Sequence, residues 1–160
     1  MKKLFVLAFL MLGILSVQSF AQEAEELTEE EMVKYAAMEA KVQAFIQEKQ
    51  STMEEMIKEN EVIGGGARYN ELKAAWGNEE KLGEIEANEE EKAAFAEIQK
   101  YIDSIGDEVK EYMTGLIMDQ EVLGAATYNK VRRAMSSDPS VKEKIDSLVA
   151  ELKKSSEEQD

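Results

Sequence analysis

Residues 61–76 read EVIGGGARYNELKAAW, and residues 121–135 read EVLGAATYNKVRRAM. Both stretches carry a glycine break and then a Tyr-Asn pair, Tyr69-Asn70 in the first and Tyr128-Asn129 in the second. Glycine tolerates the positive φ angles that end helices and reverse a chain, so each stretch reads as a corner followed by a short helix. A corner written twice implies a unit written twice.

The chain upstream of each corner fits that reading. Thr28 with Glu31 has the spacing of a capping box, and Leu27 with Met32 can form the hydrophobic staple beside it. Asn88 with Glu91 repeats the box sixty residues later. The acidic runs Glu29–Glu31 and Glu89–Glu91 suit the positive end of a helix dipole. Each box predicts a long helix, the first to about Asn60 and the second to about Gln120, each about 45 Å in length. In the second, Phe95, Ile98, Ile102, Ile105, Val109, Tyr112 and Leu116 step by three and four. The same positions in the first are Tyr35, Met38, Val42, Phe45, Lys49, Thr52 and Met56. Such stepping keeps one seam against a partner helix. Lys49 and Thr52 are expected where that seam nears solvent, and Gly106 is the expected weak point of the second helix.

Past the corners, Asn78 predicts the start of a small helix leading to Leu82 and Ile85. Asp138 with Pro139 at the first helical position predicts a last helix carrying Val141, Ile145, Leu148 and Leu152. The fold class is therefore all-α, a helical bundle of two long and several short helices. It is expected to form from two tandem repeats related by a pseudo-twofold axis. A unit of about sixty residues is marginal alone, so residues 28–152 read as one domain, with repeats at 28–87 and 88–152. Residues 22–27 form a short acidic segment ahead of it. The tail KKSSEEQD, residues 153–160, is polar and expected to fray.

The beginning of the chain reads differently. Lys2 and Lys3 precede LFVLAFLMLGIL, residues 4–15, and SVQSFA, residues 16–21, places Ser19 and Ala21 where a signal peptidase reads small residues. Residues 1–21 are thus read as a cleavable signal peptide, since the apolar run is well short of the roughly 20 residues that span a bilayer. Export to a periplasmic or extracellular location follows. With no cysteine in the chain, the fold must be held by its core alone.

Composition narrows function mainly by exclusion. The formal charge is −15, and −17 without Lys2 and Lys3. That disfavours nucleic acid and anionic lipid surfaces, and favours solubility and cationic partners. The lack of histidine and cysteine removes most metal-hydrolase, thiol and Ser-His chemistry. No catalytic residue, metal ligand or cofactor is assigned. The glutamate runs lack the loop spacing of a calcium site, and Met53 and Met56 step as core residues rather than as copper ligands.

The motifs ARYNEL at 67–72, GAATYNKVRRAM at 124–135 and SDPSVKEKI at 137–145 resemble the bacterial domain of unknown function 4168 in an exported, two-copy form. The resemblance spans about Glu31 to Leu152. It implies export and a helical fold, and no activity. The first half departs from it, with Gly64–Gly66 before the Tyr-Asn pair and Asn78-Glu79 in place of Asp138-Pro139.

Tyr69, Asn70, Trp76, Tyr128 and Asn129 remain as the residues of interest. They are either docking residues for a protein partner or pieces of the corners: a tyrosine packed on a long helix, an asparagine tying down the glycine turn, a tryptophan plugging the core. On the architectural reading Tyr128→Ala costs about 2–4 kcal/mol. The expected function is an exported, non-catalytic helical protein working through protein contacts. A holdase-type periplasmic chaperone and a weak cation binder are the alternatives.

Overall fold

The computed structural model describes residues 26–157, with side chains to 155. Residues 1–21, read above as a signal peptide, lie outside the described residues. Six helices follow one another: α1 Glu29–Lys58, α2 Gly66–Ala75, α3 Glu79–Glu84, α4 Glu89–Met118, α5 Ala125–Ser137 and α6 Pro139–Glu157. Among the described residues there is no strand, and no helix is long and apolar enough to cross a membrane.

The long helices start as their capping boxes require. The Thr28 hydroxyl accepts from the Glu31 N–H at 3.2 Å while the Glu31 carboxylate accepts from the Thr28 N–H at 2.8 Å. Asn88 and Glu91 make the same exchange at 2.9 Å each way. Each helix stops two residues short of the expected end because an Asx residue takes over there. The Asn60 side-chain oxygen accepts from the N–H groups of Val62 and Ile63 at 3.1 and 2.9 Å. Asp119 accepts from the Glu121 N–H through its side chain, and from Leu123 and Gly124 through its carbonyl, all at 2.9 Å. These bonds pair backbone N–H groups of the turn that have no helical partner. Gly65 and Gly124 then cap α2 and α5 at φ +102° and +81°, which an L side chain adopts only under strain.

α1 and α4 run antiparallel: Phe45 stacks on Tyr112 with centroids 4.4 Å apart, and one turn further along α1 Lys49 pairs with Glu108, one turn back along α4, at 2.7 Å. Lys49 therefore corrects the expectation that it marks the approach to solvent. Its carbonyl also accepts from the Tyr101 hydroxyl at 3.4 Å, and Glu108 accepts from the Ser104 hydroxyl at 2.7 Å. A long stem packed on Phe45, with the ammonium 4.9 Å from that ring, lets a lysine occupy a helix–helix seam. Gly106 does not interrupt α4. The tail also differs from expectation, since α6 continues to Glu157. Lys and Glu are good helix formers, and Lys154 in the last turn complements the dipole.

This polar waist separates two cores. One gathers Met32, Tyr35, Ala36 and Met38 from the start of α1 with Leu123, Val131, Ile145 and Val149. The other gathers Ile63, Tyr69, Leu72, Ala75 and Leu82 with Phe95 and Ile98 from the start of α4. Thus α5 and α6 pack on the beginning of α1, whereas α2 packs on the beginning of α4. The two ends are unequal in one respect. α6 lies along α1 as its main neighbour, but α3 is a six-residue helix that contacts α2 and not the length of α4.

Candidate functional site

The residues singled out from the sequence fall into two corners. In the first, Tyr69 is buried, its ring 5.2 Å from that of Phe95, and its hydroxyl accepts from Gln99 Nε2 at 3.2 Å. In the second, Tyr128 is half-buried and stacks on Tyr35 at 5.7 Å. Each corner tyrosine thus meets an aromatic ring one helical stretch past a capping box. Burial pushes the Tyr35 hydroxyl well above its ordinary pKa, and the neighbouring Glu39 carboxylate adds to this. Arg132 lies beside the same groups. Burial opposes its charge, but the Tyr35, Tyr128 and Glu39 oxygens around it win, and its pKa rises.

Asn70 and Asn129 are both exposed. Neither side chain ties down a glycine corner; Asn60 and Asp119 hold that position instead. Trp76 is not a core plug. It is 41% exposed, with its ring 4.6 Å from Phe95 and tilted by 48°.

Ion pairs at both corners were not anticipated. Arg68 Nε and Nη2 donate to the two Glu91 oxygens at 2.7 and 2.9 Å, and its Nη1 donates to Glu71 at 2.8 Å. Lys130 donates to Glu31 at 2.8 Å. In both cases the capping-box glutamate is bonded at once to its own N-cap backbone and to a cation on a corner helix. Arg68 stands directly before its tyrosine and Lys130 two residues after its own, so no shared spacing flagged them.

The chemistry of these groups is that of anchoring. Glu91 is held below the usual carboxylate range by Arg68 and then by the Asn88 N–H, and Glu31 likewise by Lys130 and then by the Thr28 N–H. Glu108 and Asp138 are also lowered, by Lys49 and by Ser140 respectively. A general acid at neutral pH needs the opposite shift. Among the described residues no group of three or more carboxylates converges as a metal site, and no buried side-chain polar atom lacks a partner.

One surface remains distinctive. Thr28 and Asn88 begin helices of the same length, so Ala36 and Ala96 occupy the same place on each. Ala36 is 0% exposed within the first core, whereas Ala96 is exposed. Ala93 and Lys100, on the same face of α4 as Ala96, are also exposed, and so is Trp76, whose ring lies against Phe95, the residue before Ala96. No family model, no curated protein and no solved structure matches the chain.

Proposed function

We propose that the chain is an exported, non-catalytic helical protein that works by binding another protein, and that the contact face is the flank of α4 beside Trp76. The chain is read as two copies of one unit, long helix, glycine corner and short helices, facing each other about a pseudo-twofold axis. Support comes from the matched helices α1 and α4, the matched capping boxes and the paired rings Tyr35–Tyr128 and Phe95–Tyr69. On this reading Trp76 corresponds to Met135, which packs in the first core together with Ile145 and Val149 of α6. The first copy has only the short α3 in the place of α6.

The observation that carries the proposal is the contrast between Ala36, buried, and Ala96, exposed next in sequence to the Phe95 on which the exposed Trp76 packs. Tryptophan is enriched at protein interfaces because it offers a large apolar area at small entropic cost. The holdase alternative draws less support, since of the described methionines only Met118 is exposed. An adaptable client surface needs several.

The test is a photo-crosslinking amino acid at position 96, compared with one at exposed Gln47 on α1, in cells that produce the full chain. A discrete adduct from position 96 and none from position 47 is expected. Equal labelling from both positions, or none from either, would remove this face as the contact.

A further inference from the structure

The middle of the molecule carries a device that does not depend on the contact face. We propose that the polar waist is a hinge, at which α1 and α4 bend together and swing the two end cores against each other. Lys49–Glu108 is the latch that holds the form described above.

The two ends are joined by little else. Among the described residues α2 and α3 pack on neither α5 nor α6, so the ends meet only through α1 and α4. Phe45, Lys49, Thr52, Ile105, Glu108 and Tyr112 belong to neither core. At this level two helices stand side by side with no third helix to brace them.

Weak helix formers collect there on both helices. The register of Phe45 on Tyr112 and of Lys49 on Glu108 sets Thr52 level with Ile105. In α1, Ser51 and Thr52 follow a run of stronger formers, and the Thr52 hydroxyl donates to the Glu48 carbonyl at 3.1 Å. In α4, Asp103 and Ser104 precede Ile105, and Gly106 and Asp107 follow it. Gly106 has open space where a Cβ would stand, so packing does not require a glycine there. What glycine supplies at that place is a softer backbone. Hydroxyls bonded back to helix carbonyls and Gly/Ser pairs are where long helices bend. Because the weak points are level, the pair can bend as a unit without sliding one helix along the other.

The latch spans the weak level. Lys49 Nζ meets Glu108, past Gly106, at 2.7 Å. The Tyr101 hydroxyl, before Ser104, donates to the Lys49 carbonyl at 3.4 Å. Lys49 is thus tied to α4 on both sides of Ser104–Gly106. Ser104 Oγ lies 2.8 Å from the Tyr101 carbonyl and 2.7 Å from Glu108. Its one hydrogen is shared between the helix backbone and the latch, so loss of the latch frees it for the backbone bond that favours a bend.

The chain has no cysteine, so pairs of cysteines can be introduced and spin-labelled without competition. Labels at exposed Ala74 on α2 and exposed Ser147 on α6 report across the waist. Labels at Ala74 and exposed Glu97 on α4 report within one end. A bend of about 20° at mid-helix moves a helix end about 22 Å away by about 8 Å. Dipolar distance distributions are measured on the full chain, on Lys49→Met and on Lys49→Met with Gly106→Ala, each of unchanged helicity. Methionine keeps an apolar stem against Phe45 and removes the ammonium. The expected result is a cross-waist distribution spread by about 8 Å in Lys49→Met and narrowed again when Gly106→Ala is added, with the within-end distance constant throughout. An unchanged cross-waist distribution in Lys49→Met overturns the latch and the hinge together. A spread that Gly106→Ala leaves as it is removes the bend from the waist. Equal spreading within one end would mean loosening of a core, and also overturns the proposal.

Discussion

Glu91 is gripped from two sides: the Arg68 guanidinium donates to both of its oxygens at 2.7 and 2.9 Å, and the Asn88 N–H donates to one of them at 2.9 Å. One carboxylate therefore starts α4 and fastens α2 to it. Charge-assisted, bidentate pairs are the stronger class of hydrogen bond, and this one is buried on the glutamate side. Glu91→Gln is expected to cost about 1–3 kcal/mol at pH 7. The folded pKa of Glu91 is lowered, so its contribution is complete above the ordinary value of 4.5 and is lost as pH falls through the lower folded value. Melting curves from pH 7 to pH 3 should show the gap between the two chains closing at the acid end. A gap of constant size would mean that the pair does not carry the stability.

The two corner tyrosines should differ. Tyr69 is buried, donor-matched to Gln99 and set against Phe95, so Tyr69→Ala is expected to cost about 3–5 kcal/mol. Tyr128 is half-buried on Tyr35, and the sequence-based figure of about 2–4 kcal/mol for Tyr128→Ala drops to about 1–3 kcal/mol. Urea unfolding of both variants checks the order, and a larger loss at Tyr128 would contradict the burial.

How far the sequence reached depends on the residue. The capping boxes were legible because Thr28–Glu31 and Asn88–Glu91 are local patterns whose partners lie three residues apart. Pro139 marked the start of α6 for the same reason. Lys49 was misread because its place in the seam depends on Glu108, on another helix. The pairs Arg68–Glu91 and Lys130–Glu31 were missed likewise, being long-range. The Asx residues at the helix ends were the avoidable omission. Asn60 and Asp119 each stand four or five residues before a glycine of positive φ, and turn chemistry favours such side chains there. The exposure of Trp76 was out of reach, because it follows from how little of α4 the short α3 covers.

Glu86 is the described non-glycine residue at positive φ, +52°, just past the end of α3. The Ala87 N–H donates to the Leu82 carbonyl at 2.9 Å, the closing bond of a Schellman turn, so the backbone here is fixed by its neighbours. Glu86→Gly is expected to stabilise by about 0.5–1 kcal/mol, because relief of a left-handed side chain outweighs the added freedom of the unfolded chain. A rise in melting temperature checks it, and a fall would show that the Glu86 side chain contributes more than its backbone costs.

Two glycine-to-alanine changes should act in opposite directions. Gly106 is helical and exposed, with open space where a Cβ would stand, so Gly106→Ala is expected to stabilise by about 0.5–1 kcal/mol. Gly124 also has room, its nearest atom 3.9 Å away, yet it holds φ +81°. Gly124→Ala should therefore destabilise by about 1–2 kcal/mol through the backbone alone. The pair of melting curves separates strain from crowding. Equal shifts would mean that the positive φ is not what fixes the second corner.

The sharing of each core between distant parts of the chain sets an order of events at the ribosome. Tyr35 and Ala36 emerge long before their cover, Ile145 and Val149. Until α6 is released, the start of α1 has no completed core to join, and the nascent chain can finish only the core built on α4. Native contacts of such long sequence separation form late because the loop entropy must be met beforehand. A chain cut before Pro139 is thus left with an apolar flank along α1 that α6 would otherwise cover.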